Sequence, residues 1–214
     1  MRQPGPRRDD EIHTSSVPCA LPYRGHLPAV RTYPLRVPTY IAFLRAINLG
    51  ATRKFAQLDI VRATEAAGGT AVATHGNTGN VRLSSPMRSL SRVQTALEQG
   101  YAADRGFAVP TVVFSPDELR TLTERGLELR AVNEPGSRHY VTLYSSPPSA
   151  EKAAAVMGLD FPGERCLVEG RAAYVLVDGD IHTSQLLGSR DFVALGEGTA
   201  RTITVLRTLV DKWC

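Results

Sequence analysis

The sequence predicts an α+β fold of two ferredoxin-like (split β-α-β) subdomains, preceded by a disordered tail over residues 1–38. Three observations lead there. Regular periodicity begins only at Thr39, and the stretch that follows reads β-α-β-β-α-β, the order of the split unit. A second pass of the same order then follows a linker over residues 126–138, which carries Asn133, Pro135 and Gly136. No strong sequence repeat joins the two passes, so the expected duplication is one of architecture.

Residues 40–45 form a β-rich run that ends in Arg45, Asn48 and Gly50, polar and turn residues at the mouth of a loop. Residues 55–67, with Leu58, Val61, Ala63 and Ala66, read as a helix stopped by Gly68 and Gly69. Two short strands, 70–74 and 80–83, flank the turn His75-Gly76-Asn77-Thr78-Gly79. Residues 89–105 are the clearest helix, with Leu90, Val93, Ala96, Leu97 and Tyr101 on one stripe and Gly106 closing it. A strand over 109–114 leads to Ser115, a helix cap followed by Pro116 and, three residues on, by Glu118. In the second pass, 139–144 alternates as a strand and Ser149 opens a helix ending at Gly158. Residues 166–169 and 172–177 pair around Gly170-Arg171 as a hairpin, 183–187 looks helical, and 201–213 is a last helix with Ile203, Leu206, Leu209 and Val210 inward. The first and second subdomains are thus expected at 39–126 and 138–214.

Charge is unevenly placed. The tail holds six of the 25 Lys and Arg, three of the 21 Asp and Glu, and seven of the 14 prolines, with no period of either kind. Beyond it 19 cations face 18 anions, so the body exerts no bulk pull on a polyanion and nucleic acid is unsupported as a partner by charge alone. No apolar run approaches the ~18 residues a membrane helix needs, and no apolar segment follows Arg2, Arg7 and Arg8 as in a secretory signal. Three scattered cysteines, Cys19, Cys166 and Cys214, do not make a disulfide framework. A cytoplasmic protein is expected.

Three loops carry the candidate chemistry. The first holds Arg45, Asn48, Gly50, Arg53 and Lys54, where a tight turn and positive charge precede a helix N-terminus as an anion cradle. The bland alternative is a βα turn with solvated cations. Asn77 and Asn80 stand in the second loop, where hairpin geometry alone explains an Asn-Gly pair. The third, residues 196–201, reads as a glycine-rich turn feeding a helix, with Thr199 as its cap and Arg201 as a second anion donor. It lacks the lysine and spacing of a P-loop. No cofactor and no metal are expected, since His75, His139 and His182 have no ligand spacing with Cys166 or one another. Nor is there a G-x-S-x-G elbow for nucleophilic catalysis.

The segments LRAINLG (44–50) with RKF (53–55), NTGNV (77–81) and GTAR (198–201) resemble those of the bacterial domain-of-unknown-function family 1697 (DUF1697), over roughly residues 39–213. The resemblance implies ferredoxin-like subdomains and assigns no activity. In it Ala46 stands where glycine is usual in an LRGIN-like segment, and Thr78 replaces the serine of an SGNV-like turn. Thr202 and Ile203 replace the asparagine and tryptophan of a TTRNW-like one, and Gln185 stands in place of a lysine. The function expected is a small binding module for an anionic, phosphorylated metabolite or a nucleic-acid end. The alternatives are a low-activity enzyme on the same scaffold, or an interaction module that forms a homodimer through its sheet edges.

Overall fold

Strand β1 (Thr39–Leu44) is buried along nearly its whole length and forms the centre of the first sheet. The computed structural model describes residues 37–50, 52–132 and 138–214. The expected tail lies outside the described residues except for Val37 and Pro38, whose carbonyl accepts a hydrogen bond from Ser85 N. After β1 come α1 (Gln57–Ala66), β2 (Thr70–His75), β3 (Asn80–Ser84), α2 (Leu90–Arg105) and β4 (Thr111–Phe114), with strand order β2-β3-β1-β4. Every neighbouring pair is antiparallel.

Local signals explain these limits. Ser89 accepts from Arg92 N to cap α2, and Gly106 ends it at φ 74, in the left-handed region that favours glycine. Ser115 caps α3 (Pro116–Ala131) through Glu118 N. α3 continues through Gly126, so the expected linker starts inside a helix; its residues 133–137 lie outside the described residues. The expected inward face of α1 is also rotated. Leu58 is exposed, and Ile60, Ala63 and Thr64 are the buried positions.

The second half repeats the order with β5 (Arg138–Tyr144), α4 (Ala150–Met157), β6 (Glu164–Glu169) and β7 (Ala172–Val177). Two short helices follow, α5 (Gln185–Gly188) and α6 (Arg190–Ala194), then β8 (Gly198–Thr202) and α7 (Ile203–Trp213). Its strands run β6-β7-β5-β8, again antiparallel throughout. β8 corrects the expected glycine-rich turn: residues 198–202 are a strand, α7 begins at Ile203, and Thr202, not Thr199, caps it through Val205 N.

Three apolar cores stack through the molecule. One face of the first sheet, with Tyr40, Ala42 and Leu44, packs on Ile60, Val93, Leu97 and Tyr101 of α1 and α2. Ile41, Phe43, Val112 and Phe114 on its other face share a middle core with Val141, Leu143 and Tyr174 of the second sheet and with Leu119, Leu206 and Leu209 of α3 and α7. Tyr144, Val175 and Val177 form the third against Val156, Leu186 and Leu195. Each large side chain so buried is worth about 1.5–3 kcal/mol relative to exposure, and the middle core spends that energy on joining the sheets.

Candidate functional site

The three loops converge at one end of the molecule. Arg201, on β8, lies at their centre at 9% exposure and reaches the first sheet with its guanidinium. Nε donates to Asn80 Oδ1 (2.6 Å), and Nη2 to the carbonyls of Leu44 (3.1 Å) and Thr78 (2.6 Å). Nη1 donates to Thr199 Oγ1 and to the carbonyl of Ala200, both at 2.8 Å. All five N–H groups are therefore engaged, every acceptor is a neutral oxygen, and the guanidinium carbon lies 5.6 Å from the centre of the Phe43 ring. Burial holds the pKa of Arg201 down to about 10, which leaves the side chain a cation at neutral pH.

The asparagines serve the same junction. Asn80 is 1% exposed and donates to the carbonyl of His75 (2.9 Å) and to Thr78 Oγ1 (3.1 Å) while accepting from Arg201. Asn48 accepts from Phe55 N at 2.9 Å and donates to the carbonyl of Asn77 at 2.8 Å, tying the first loop to the second. Asn77 Oδ1 accepts from Gln57. Between them Gly79 has φ 75, and a Cβ there would sit 2.6 Å from Leu44 Cβ, so only glycine lets this turn lie against β1. Ala46 and Asn48 are both at φ 56. Asparagine tolerates that region; alanine pays for it, and glycine is the residue the resembled motif carries there.

Arg45 is the cation of this junction that faces outward. Its side chain is 37% exposed and pairs at 2.9 Å with Glu197 Oε2, whose own side chain is 77% exposed. Together they border a cavity of about 450 Å³ walled by Thr142, Tyr144, Leu187, Phe192 and Val193. Burial, with a smaller contribution from Cys166, pushes the Tyr144 hydroxyl above its ordinary value and keeps it protonated. Gly50 and Lys54 are exposed, and among the described residues no hydrogen bond or ion pair ties the Lys54 side chain to the junction. Arg53 stacks 5.0 Å from the Phe107 ring and donates to the carbonyl of Ala108.

Of the eight candidate residues, Asn48, Asn77, Asn80, Thr199 and Arg201 meet in one hydrogen-bonded junction, with Arg45 beside it. Glu197, Tyr144 and Phe192 escaped selection as site residues from the sequence. Glu197 lay in plain view inside the third loop, but its meaning depends on Arg45, which no local spacing connects to it. A larger cavity of about 630 Å³ lies elsewhere, lined in part by Leu159, Phe161, Glu164 and Cys166. Its Glu164 carboxylate is occupied by Ser184 Oγ and the backbone N–H groups of Gln185 and Leu186, and burial pushes the Cys166 thiol up to about 12. The Arg45 cavity is the candidate site because it adjoins the junction of the three loops, which the larger cavity, with Asp160, Arg165 and Asp178 on its wall, does not. Among the described residues no group of three His, Cys, Asp or Glu side chains is placed to hold a metal ion, and no helix is long and apolar enough to cross a membrane.

Fold and junction together define an α+β protein of two four-stranded antiparallel sheets joined by a polar knot of loops. The chain belongs to the family described as Protein of unknown function (DUF1697), which it matches over residues 37–174. That span contains the first two loops and ends before the third. In structure it is similar to a conserved bacterial protein, SP0830 from Streptococcus pneumoniae, at 18% identity and a TM-score of 0.62, covering 82% of this chain and 98% of that one. At that identity the similarity shows the fold. No curated protein matches the chain.

Proposed function

We propose that this protein is a cytoplasmic binding module for a small anionic ligand, seated at Arg45. Its scaffold in this reading is a pair of ferredoxin-like subdomains, 39–126 and 138–214, supported by the equal strand order of the two halves. The observation that carries the reading is the state of Arg45. A guanidinium held at the mouth of an apolar-walled cavity has for its counter-charge, among the described residues, only the exposed carboxylate of Glu197, and an ion pair that open contributes about 0–1 kcal/mol. An incoming anion can therefore replace Glu197 at little cost and form charge-assisted hydrogen bonds in its place. Asn48, Asn77, Asn80, Thr199 and Arg201 act by fixing the loops from which Arg45 projects, and Gly50 and Lys54 have no part in this reading. The free thiols of Cys166 and Cys214 suit the cytoplasmic setting.

The test is a thermal-melt titration of the protein and its Arg45→Gln variant with a panel of small anions. A dose-dependent rise in melting temperature for at least one anion, lost in the variant, is expected. Equal rises in both proteins would overturn the assignment to Arg45.

A further inference from the structure

We infer that the ligand of the Arg45 cavity is a monocarboxylate with an apolar body, not a phosphate ester; this rests on the anion-binding reading above. The charge of the site argues it first. Among the described residues Arg45 is the cavity's one cationic wall residue and Glu197 its one anionic one, so these balance to zero with the ion pair intact. A single guanidinium presents two parallel N–H groups, the match for one carboxylate. A phosphate monoester brings close to two negative charges and three acceptor oxygens, and its usual hosts add a lysine, a glycine nest or a long helix N-terminus. Lys54 and Lys152 are absent from the cavity wall, and α6, the helix beside it, has five residues. Glu197 would in addition repel a dianion held at Arg45.

The walls argue the rest. Leu187, Phe192, Val193 and Ala200 are apolar, Tyr144 presents its ring from β5, and Val193 on α6 is left 66% exposed by the described residues. The volume of about 450 Å³ lies within the range of roughly 300–1,000 Å³ that small-molecule sites occupy, well beyond what an acetate would fill. The ligand's carboxylate takes the place of Glu197 on Arg45, and its hydrocarbon body covers Phe192 and Val193. In this arrangement Glu197 is a competitor that the ligand displaces, so its removal helps binding.

Calorimetric titration of the full chain with acetate, hexanoate, 3-phenylpropionate, hexylamine and inorganic phosphate tests this. The two longer acids are expected to bind at least about tenfold more tightly than acetate, with hexylamine and phosphate weaker still. Arg45→Gln should lose about tenfold for the acids, Phe192→Ala should weaken the longer acids while leaving acetate unchanged, and Glu197→Gln should tighten them severalfold. The Arg45 and Glu197 variants must first melt as the parent does; if either does not, Arg45→Met and Glu197→Ser replace them. Phosphate binding more tightly than every acid and depending on Arg45 would overturn the carboxylate class while the anion-binding reading stands. Weaker binding in Glu197→Gln would overturn displacement and point to a ligand carrying an amine. Failure of every anion to bind would overturn both readings.

Discussion

Arg201 and Arg171 both join the sheets of this protein, and they do so in opposite ways. Arg201 crosses from β8 to the loops of the first sheet and meets neutral oxygens alone. Arg171, in the β6–β7 turn, crosses to the other end of the same sheet. It holds the Glu118 carboxylate through Nη1 at 3.0 and 3.2 Å, the carbonyl of Val113 at 2.9 Å and that of Tyr144 at 2.9 Å, with its guanidinium 4.0 Å from the centre of the Phe114 ring. The Arg171 side chain is 14% exposed and Glu118 34%, so water shares that pair. The comparison teaches that a buried cation can be held by geometry as well as by opposite charge. Where five acceptors stand in the places a planar fork demands, no carboxylate is needed; the site then depends entirely on the shape of the fork.

The largest effect expected follows from that dependence. Arg201→Leu strands the Leu44 and Thr78 carbonyls, Asn80 Oδ1 and Thr199 Oγ1, and should cost about 4 kcal/mol in urea unfolding. Arg201→Lys should recover little of it, because an ammonium cannot span the same acceptors. Next comes His139: it is 5% exposed, and among the described residues neither ring nitrogen has a hydrogen-bond partner. Burial, reinforced by Arg130, lowers its pKa from 6.5 to about 4. The unfolded chain thus binds the extra proton between those values, and stability is lost as pH falls through that window, by on the order of 3 kcal/mol. His139→Leu should flatten the slope in a pH series of melts.

Arg171→Leu should cost less, about 2 kcal/mol, because the freed Glu118 carboxylate can turn to water. Equal losses for the two arginines, measured by the same denaturant midpoints and slopes, would break the comparison. The smallest effect sharpens it by reinforcing the frame around Arg201. Ala46→Gly relieves a left-handed alanine at φ 56 and should stabilise by about 1 kcal/mol, read as a higher urea midpoint.

Much of the fold can be read from the sequence because its signals are local. The caps at Ser89, Ser115 and Ser149, the stripe Val93-Leu97-Tyr101 and the hairpin around Gly170-Arg171 all lie where their residues indicate. β8 escaped for a physical reason: its inward residues are Thr199 and Arg201, so the apolar alternation that marks a half-buried strand is absent. The partners that make those residues inward belong to β1 and to the 77–80 turn, far back in the chain. The candidate site was legible to the same degree. Its loops were visible as loops, whereas the division between Arg45, which faces the cavity, and Arg201, which is spent on the frame, is decided by contacts that no spacing encodes.

The bond from Arg201 to Leu44 spans 157 residues of chain and thereby bears on how the protein reaches its native state. Contacts of such separation form only after the intervening loop has lost its freedom, a requirement that slows β-rich topologies in general. The arginine's bonds need strands of both sheets in place, so they are expected to form late in folding. A change at Arg201 is borne mainly by the rate at which the molecule comes apart, leaving the folding limb of its chevron almost where it was.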